Sequence, residues 1–245
     1  MKRIVLLLLL FAAVLHAQEK PRNKALRIGI RGGAVSSNVL VEWDKLHELP
    51  REKWGFRGGL QADYMPVRWL GLSMYADYVQ KGFMIPDRFP ERPDLNESLE
   101  AFGEMIETGF DVRIALIENL SLDLGPYLAY WQRGKALVER VSDSLQPQIL
   151  EYVVKGATEG TDIASLDENI LLINPWDFGI TGGLQYRLGK ISLAVNYEVG
   201  LADLNRMARE LTSAGLLKFG SDDNEFALPP VRFRTLGFSL IYWLR

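Results

Sequence analysis

The chain has 245 residues, of which 48% are hydrophobic and 24% charged, and its net charge is −3. This length suits one β-barrel or one to two ordinary domains, and the slight acidic excess argues against a nucleic-acid-binding protein. The sequence contains no cysteine, which excludes disulfide bonds and lipid attachment to a cysteine after export.

The first seventeen residues have the pattern of a secretory signal peptide. Lys2 and Arg3 precede the apolar run Ile4–Leu15, and Ala17 is a suitable last residue before cleavage. The run is too short to cross a bilayer as a helix. We therefore expect export by a cleavable signal peptide (1–17), a periplasmic segment (18–25) and a barrel domain (26–245). An uncleaved N-terminal anchor is the alternative.

The rest of the chain alternates between apolar and polar residues, which is the pattern of β-strands. In Trp54–Tyr64 one set is Trp, Phe, Gly, Leu, Ala and Tyr, and the other contains Arg, Gln, Asp and two glycines. Eight segments share this pattern in chain order: Leu26–Arg31, Trp54–Tyr64, Leu70–Tyr78, Ile106–Leu116, Leu120–Tyr130, Trp176–Leu188, Ile191–Leu201 and Thr235–Leu244.

The connections between these segments alternate in length. Met65–Arg68, Ile117–Asn119 and Leu188–Lys190 are short turns, whereas residues 36–53, 82–104, 134–175 and 202–230 form long connections. Short periplasmic turns and long extracellular loops are typical of an outer-membrane barrel. The sequence thus predicts an all-β, eight-stranded, antiparallel up-and-down transmembrane β-barrel with four long extracellular loops.

The two faces of the predicted strands differ in charge. A soluble, lipocalin-like barrel would place the apolar set inside, whereas a membrane barrel would place it against lipid. The apolar set carries no charge, and the polar set carries twelve: Arg27, Arg31, Arg57, Asp63, Asp77, Glu107, Asp111, Arg113, Asp123, Asp177, Arg187 and Glu198.

Aromatic residues, glycine and arginine favour the membrane barrel. The polar set is rich in glycine, which suits a narrow interior, and its cations are arginines without lysine, which suits enclosed ion pairs. Aromatic residues at the ends of the apolar set predict girdles at the two membrane interfaces. The predicted girdle residues are Trp54, Phe56, Tyr64, Trp69, Tyr78, Tyr130, Trp176, Phe178, Tyr186 and Tyr242.

The polar set should therefore form a lumen charge network. Its charges could line an ion or proton path, or they could pack the interior as mutually satisfied pairs. Eight strands leave room for side chains and not for an open, porin-like channel. We favour a plugged lumen.

A search for catalytic and metal-binding residues finds few candidates. Some small outer-membrane barrels are rim enzymes that use His with Ser, Asp or Glu, but the expected mature chain has a single histidine, His47. We expect no enzymatic activity, no cofactor and no metal site. The weak alternatives are a rim site at Asp44, His47, Glu48, Ser142 and Ser144, and a calcium-binding loop at Asp222, Asp223 and Glu225.

Two segments within the long connections have short helical patterns. Pro147–Gly156 begins with proline, ends with glycine and places its apolar residues on one side of a helix. Asn96–Gly103 is a similar candidate. Either helix could cap the barrel or contact a partner.

Several strands resemble the PorT-like outer-membrane β-barrel family. The similarity lies in Lys53–Phe83, in Leu120–Lys135 with its Gly-Pro-Tyr, in Asp177–Asn205 and in Arg27–Val39. The fourth strand, Ile106–Ile117, departs from the family because it lacks an Ile-Pro pair. The resemblance implies an outer-membrane barrel, and PorT itself is implicated in type IX secretion.

We therefore expect a non-enzymatic outer-membrane barrel that presents its loops to a partner or ligand. Its expected partners are outer-membrane lipid and other envelope proteins, and not nucleic acid. A component of a type IX-like secretion machinery and a rim-located lipid-modifying enzyme are the alternatives.

Overall fold

The computed structural model describes residues 25–41, 50–85, 95–142, 145–156, 170–206 and 230–244. The signal-peptide prediction lies outside these residues. No helix in the described ranges is long and apolar enough to cross a membrane. The strands are β1 Ala25–Val41, β2 Arg51–Met65, β3 Leu70–Ile85, β4 Leu95–Ile117, β5 Leu120–Ser142, β6 Leu145–Gly156, β7 Ile170–Ile173, β8 Trp176–Leu188, β9 Ile191–Gly200 and β10 Val231–Trp243.

Eight of these strands close into an antiparallel barrel, as the sequence predicts. The order is β4-β3-β2-β1-β10-β9-β8-β5, and pairing of β4 with β5 closes the sheet. Strand β1 pairs with β2 from Ala25 to Ser37 and with β10 from Gly29 to Val41, so the first and last strands are neighbours in the wall. Closure leaves no free edge around the lower barrel.

The predicted short turns join β2 to β3, β4 to β5 and β8 to β9. In the last of these, Leu188 pairs with Ile191 across a two-residue loop. Gly189 takes a φ of 62° there, which is the left-handed conformation that tight hairpin turns require. Glycine adopts it without a steric penalty. We call this end of the barrel the lower end.

At the upper end, the strands run beyond the predicted segments. Strands β4 and β5 each have 23 residues and stay paired from Leu95↔Ser142 down to Ile117↔Leu120. Strand β6 folds back on the upper half of β5. The helices predicted at Pro147–Gly156 and Asn96–Gly103 are therefore wrong. Both segments lie in β-strands, because each pairs with the neighbouring strand β5.

The upper wall is completed by shorter elements. Strand β7 pairs with β6 in parallel. The amide of Asn174 donates to Leu204 O at 2.9 Å, and the amide of Leu204 donates to Val231 O, also at 2.9 Å. These bonds link β7 to β10 through the segment after β9. The described parts of the third long connection thus belong largely to the wall.

The two faces of the barrel are those of the membrane arrangement. Apolar side chains point outward on the lower barrel: Leu60 is 57% exposed, Ile180 52% and Leu240 49%. The charged set points inward. The soluble, lipocalin-like alternative is therefore wrong, because its lumen would be apolar.

Candidate functional site

The lumen contains two groups of interacting polar side chains. Near the lower end, Arg113 contacts Asp63, and its Nε and Nη2 each donate to one oxygen of Asp123 at 2.7 Å. Gln61 and Gln185 complete this group: Arg113 Nη2 donates to Gln185 Oε1 at 2.9 Å, and Gln61 Nε2 donates to Asp63 Oδ1 at 3.0 Å. We call these five residues the lower cluster. It is a charge-assisted network built around Arg113, which binds Asp123 through two hydrogen bonds, one to each carboxylate oxygen.

The upper group, here called the upper cluster, lies closer to the long-loop end. Arg57 Nη2 lies 2.6 Å from Glu198 Oε1 and 3.2 Å from Glu107 Oε1. Arg31 Nη1 lies 3.4 Å from Asp77 Oδ2. The contacts cross the barrel, so they hold opposite walls together. The members are Arg31, Asp77, Arg57, Lys81, Glu107, Asp177 and Glu198, with Asn196 hydrogen-bonded between the two arginines.

Lys81 is the central residue that the sequence reasoning missed. Its Nζ lies 2.7 Å from Glu107 Oε2 and 3.0 Å from Glu198 Oε2, and its side chain is fully buried. It also lies 4.7 Å from the centre of the Tyr127 ring. The prediction of a lumen without lysine is wrong because the third strand was ended at Tyr78. The same alternation, carried three residues further, places Lys81 inside.

Above the upper cluster the lumen becomes apolar. Val79, Met105, Trp131 and Phe233 are at most 4% exposed, and the rings of Trp131 and Phe233 stack with centres 6.4 Å apart. Trp131 fits because Gly103 faces it: a Cβ at Gly103 would overlap the indole ring. The charged interior is thus covered on its upper side by an apolar plug, which we define as Val35, Val79, Met105, Trp131 and Phe233.

The predicted lumen residues fall into three groups. The predicted residues that belong to the lower or the upper cluster contact other members of the same cluster. Arg27 and Arg187 are only partly buried and lie toward the lower end, where Arg27 pairs with Asp63 across β1 and β2 and Arg187 with Ser192 across β8 and β9. Asp111 is buried, but it forms neither a salt bridge nor a side-chain hydrogen bond among the described residues.

The predicted girdle residues lie on the outside of the barrel. Tyr78, Ile106, Tyr130 and Trp176 form one row across β3, β4, β5 and β8, with the Tyr130 and Trp176 rings 4.8 Å apart. Phe56 lies 5.7 Å from Tyr78 in the same region, and Trp54 and Phe178 lie near it on β2 and β8. Tyr64, Trp69, Tyr186 and Tyr242 lie at the lower end of their strands or in the turn after them.

The residues proposed for chemistry are not brought together by the described structure. Asp44, His47, Glu48, Ser144, Asp222, Asp223 and Glu225 lie outside the described residues, and Ser142 lies at the end of β5. Within the described ranges, no group of three or more His, Cys, Asp or Glu residues is arranged to hold a metal ion.

Comparison with solved structures finds small barrels of low sequence identity. Ail, the attachment invasion locus protein of Yersinia pestis, solved with the heparin analogue sucrose octasulfate, is 13% identical, with coverage of 89% of this chain and 99% of Ail and a TM-score of 0.41. Neisserial surface protein A is 11% identical (89% and 99% coverage, TM-score 0.39). The outer membrane protein OprG from Pseudomonas aeruginosa is 12% identical (91% and 97% coverage, TM-score 0.35).

No protein-family model and no curated protein matches the chain. The resemblance to the PorT-like family therefore stays a prediction from the sequence. Likeness at these identities and TM-scores transfers no residue role to this chain.

Proposed function

We propose that this chain is a bacterial outer-membrane barrel without a through-channel, which presents an extended β-sheet wall to a partner or ligand outside the cell. The observation that carries the proposal is a reversal of side-chain pattern along single strands. Within the lower barrel, apolar residues point outward and charges inward. Above the aromatic row, the pattern is that of a water-soluble protein.

Strand β5 shows the reversal most clearly. Leu124 and Leu128 point outward below the row, whereas Arg133 and Lys135 point outward above it, with side chains 77% and 71% exposed. The inward positions change in the opposite direction, from Asp123 to buried apolar residues such as Trp131 and Val138. A register shift opposite Glu104 and Met105 of β4 accompanies the change.

Strands β4 and β10 repeat the reversal. On β4, Phe110 points outward below the row, Ile106 within it and Glu104 above it. On β10, Leu236 points outward and is followed toward the upper end by Arg234. Lipid on one side of this boundary and water on the other explains why the same strand needs opposite patterns. From Trp176 to Tyr186, eleven residues of tilted strand span roughly 25 Å, the height of an outer-membrane apolar band.

The filled lumen supports a barrel that does not conduct. Arg57, Lys81 and Glu107 fill the middle of the interior and are at most 2% exposed. Above them Phe233 and Trp131 fill the cross-section with rings. An ion would have to displace both a charge network and an apolar plug, which are costly to disrupt.

The extended wall is the part that supports a binding role. From Ile106 to Leu95, strand β4 rises roughly 25–30 Å above the aromatic row, given the usual rise and tilt of barrel strands. The outward face of the wall carries exposed apolar residues among charges on β4, β5 and β6: Phe102 is 37% exposed, Leu137 38%, Val153 45% and Ile149 69%. Exposed apolar side chains on the water side of the boundary favour a contact surface.

The location can be tested by fractionation and gel mobility. We expect the protein in the outer membrane, and we expect unboiled samples to migrate differently from boiled ones, because closed barrels resist detergent. A Leu60→Arg variant, which places a charge in the middle of the lipid-facing surface, should be depleted from the membrane. Recovery of the wild type as a soluble periplasmic protein would overturn the proposal.

The binding role can be tested with a photoreactive amino acid in living cells. At Ile149 we expect crosslinks to one defined partner or glycan, and at Leu60, the matched lipid-facing position, crosslinks to lipid only. Crosslinks to lipid alone, or none, at Ile149 would contradict a presenting role for the wall. Roles in type IX-like secretion or in lipid modification stay predictions that the described residues do not favour.

A further inference from the structure

The described lumen holds more acid than base. Seven carboxylates (Asp63, Asp77, Glu107, Asp111, Asp123, Asp177 and Glu198) and six cations (Arg27, Arg31, Arg57, Lys81, Arg113 and Arg187) are buried or partly buried there, which leaves one negative charge in excess. Uncompensated charge inside a protein is costly, so a lumen with this excess gains stability from added positive charge.

The excess negative charge is located at Asp111. This side chain is 7% exposed, and its Oδ1 makes no hydrogen bond to the described residues. No Lys or Arg nitrogen in the described part of the chain lies within 4.0 Å of its carboxylate. The expectation of a fully satisfied charge network is therefore wrong at this position.

A small cavity of about 20 Å³ lies beside Asp111, between the lower and upper clusters. Tyr75 also lines it, and the Tyr75 hydroxyl, in a residue 5% exposed, is a second buried polar group without a hydrogen bond. A cavity of this size holds one ion or one water molecule. Further side-chain oxygen atoms are offered by the lining residues Gln61 and Thr181, whereas those of Asp123, Gln185 and Asn196 already accept hydrogen bonds from arginine.

We propose that this cavity binds one small monovalent cation, of the size of sodium, with Asp111 as its charged ligand. A water molecule would satisfy the hydrogen-bonding capacity of Asp111 and Tyr75 but would leave the carboxylate charge unpaired unless a proton neutralised it. A calcium or magnesium ion would need more carboxylate ligands, because Asp123, the only other carboxylate in the lining, is already bonded through both oxygens to Arg113.

Arg31 lines the cavity as well, but its charge is directed elsewhere. Its Nη1 lies near Asp77, its Nη2 donates to Asn196 at 3.3 Å, and its Nε donates to Ser239 at 3.2 Å. Its guanidinium carbon lies 4.7 Å from the centre of the Tyr75 ring. Arg31 therefore forms its ion pair within the upper cluster and acts on Asp111 from beyond 4.0 Å, so the Asp111 carboxylate has no direct ion-pair partner among the described residues.

The test is the thermal stability of the full, refolded barrel in detergent micelles. Sodium chloride replaces N-methyl-D-glucamine chloride at constant ionic strength and pH, and the unfolding temperature is read from gel mobility. For the wild type we expect a rise that saturates with sodium, because a ligand that binds only the folded state stabilises it. Equal unfolding temperatures in the two salts would overturn the proposal.

Three variants identify the site. Asp111→Asn, which keeps the shape, should abolish the sodium dependence, and Tyr75→Phe should move its midpoint to higher sodium. Asp177→Asn is the matched control: it removes one buried carboxylate outside the cavity lining and should keep the dependence. Two results would overturn the proposal. One is a folded Asp111→Asn variant that still responds to sodium. The other is a wild type that responds to pH but not to sodium, together with an Asp111→Asn variant that is more stable than the wild type.

Discussion

Replacing Lys81 with methionine tests whether the buried charges hold the barrel together. Methionine keeps most of the side-chain volume and removes the charge. Lys81 Nζ lies 2.7 Å from Glu107 and 3.0 Å from Glu198, so the change leaves two buried carboxylates that share only Arg57. Removing one member of a buried ion pair costs about 3–5 kcal/mol. We expect a loss at the upper end of that range, since two partners are affected.

The free energy of unfolding can be measured with urea for the barrel refolded in lipid vesicles, with tryptophan fluorescence as the signal. For slopes of about 1–3 kcal/mol per molar urea, the expected loss moves the midpoint down by roughly 1.5–5 M. A midpoint within about 0.3 M of the wild type would refute the reasoning, since it would mean that the network contributes no net stability.

The double variant Lys81→Met with Glu107→Gln separates lost attraction from unpaired charge. Because the second change removes one of the two buried carboxylate charges that have lost Lys81, we expect the double variant to be more stable than Lys81→Met alone. If the two changes simply add, the cost of Lys81→Met comes from lost packing rather than from charge.

Three further changes test the lipid-facing surface, the apolar plug and a lumen glycine. Leu60→Arg, at the middle of the outward face, should cost about 2–4 kcal/mol of folding free energy in lipid vesicles, whereas Leu60→Phe should be nearly neutral. Phe233→Ala should cost about 3–5 kcal/mol in the urea titration, because this ring is 1% exposed and contacts Trp131 and Phe83; an unchanged midpoint would contradict the plug. Gly109→Val should prevent the gel shift of the folded barrel, because a Cβ at Gly109 would overlap the Tyr75 ring, and restored folding in Gly109→Val with Tyr75→Ala would identify that overlap as the cause. In planar bilayers the wild type should show no stepwise conductance, and regular steps would contradict a plugged lumen.

The eight-stranded barrel could be predicted because its signal is local. Period-two alternation and the two-residue turns, such as the one that Gly189 allows, are visible in short stretches of sequence. The inward position of charges such as Arg57 and Glu198 followed from the same alternation. Most contacts between charges could not be predicted, because contacts such as those of Arg57 and Lys81 with Glu198 join strands distant in sequence. Arg113 and Asp123 lie opposite each other across the β4–β5 hairpin, so that pair could have been predicted.

The extended wall was missed for a different reason. Pro147–Gly156 has a helix-like pattern with a proline at its start, but pairing with β5 overrides this local preference. Lys81 was missed because the third strand was ended at an aromatic residue taken as the edge of the barrel. In the proposed membrane arrangement the aromatic row marks a change of solvent, and the strand continues through it.

That change of solvent was present in the sequence as a reversal of hydrophobicity at constant period. On β10 the outward positions read Leu240, Phe238 and Leu236 and then Arg234, while the inward positions pass from Ser239 through Thr235 to Phe233. A strand end would interrupt the alternation, whereas a membrane boundary keeps the alternation and exchanges the two faces. The apolar plug and the exposed charges of the wall are thus two consequences of one boundary. Above it the burial of apolar surface stabilises the interior, and below it the paired charges must do so.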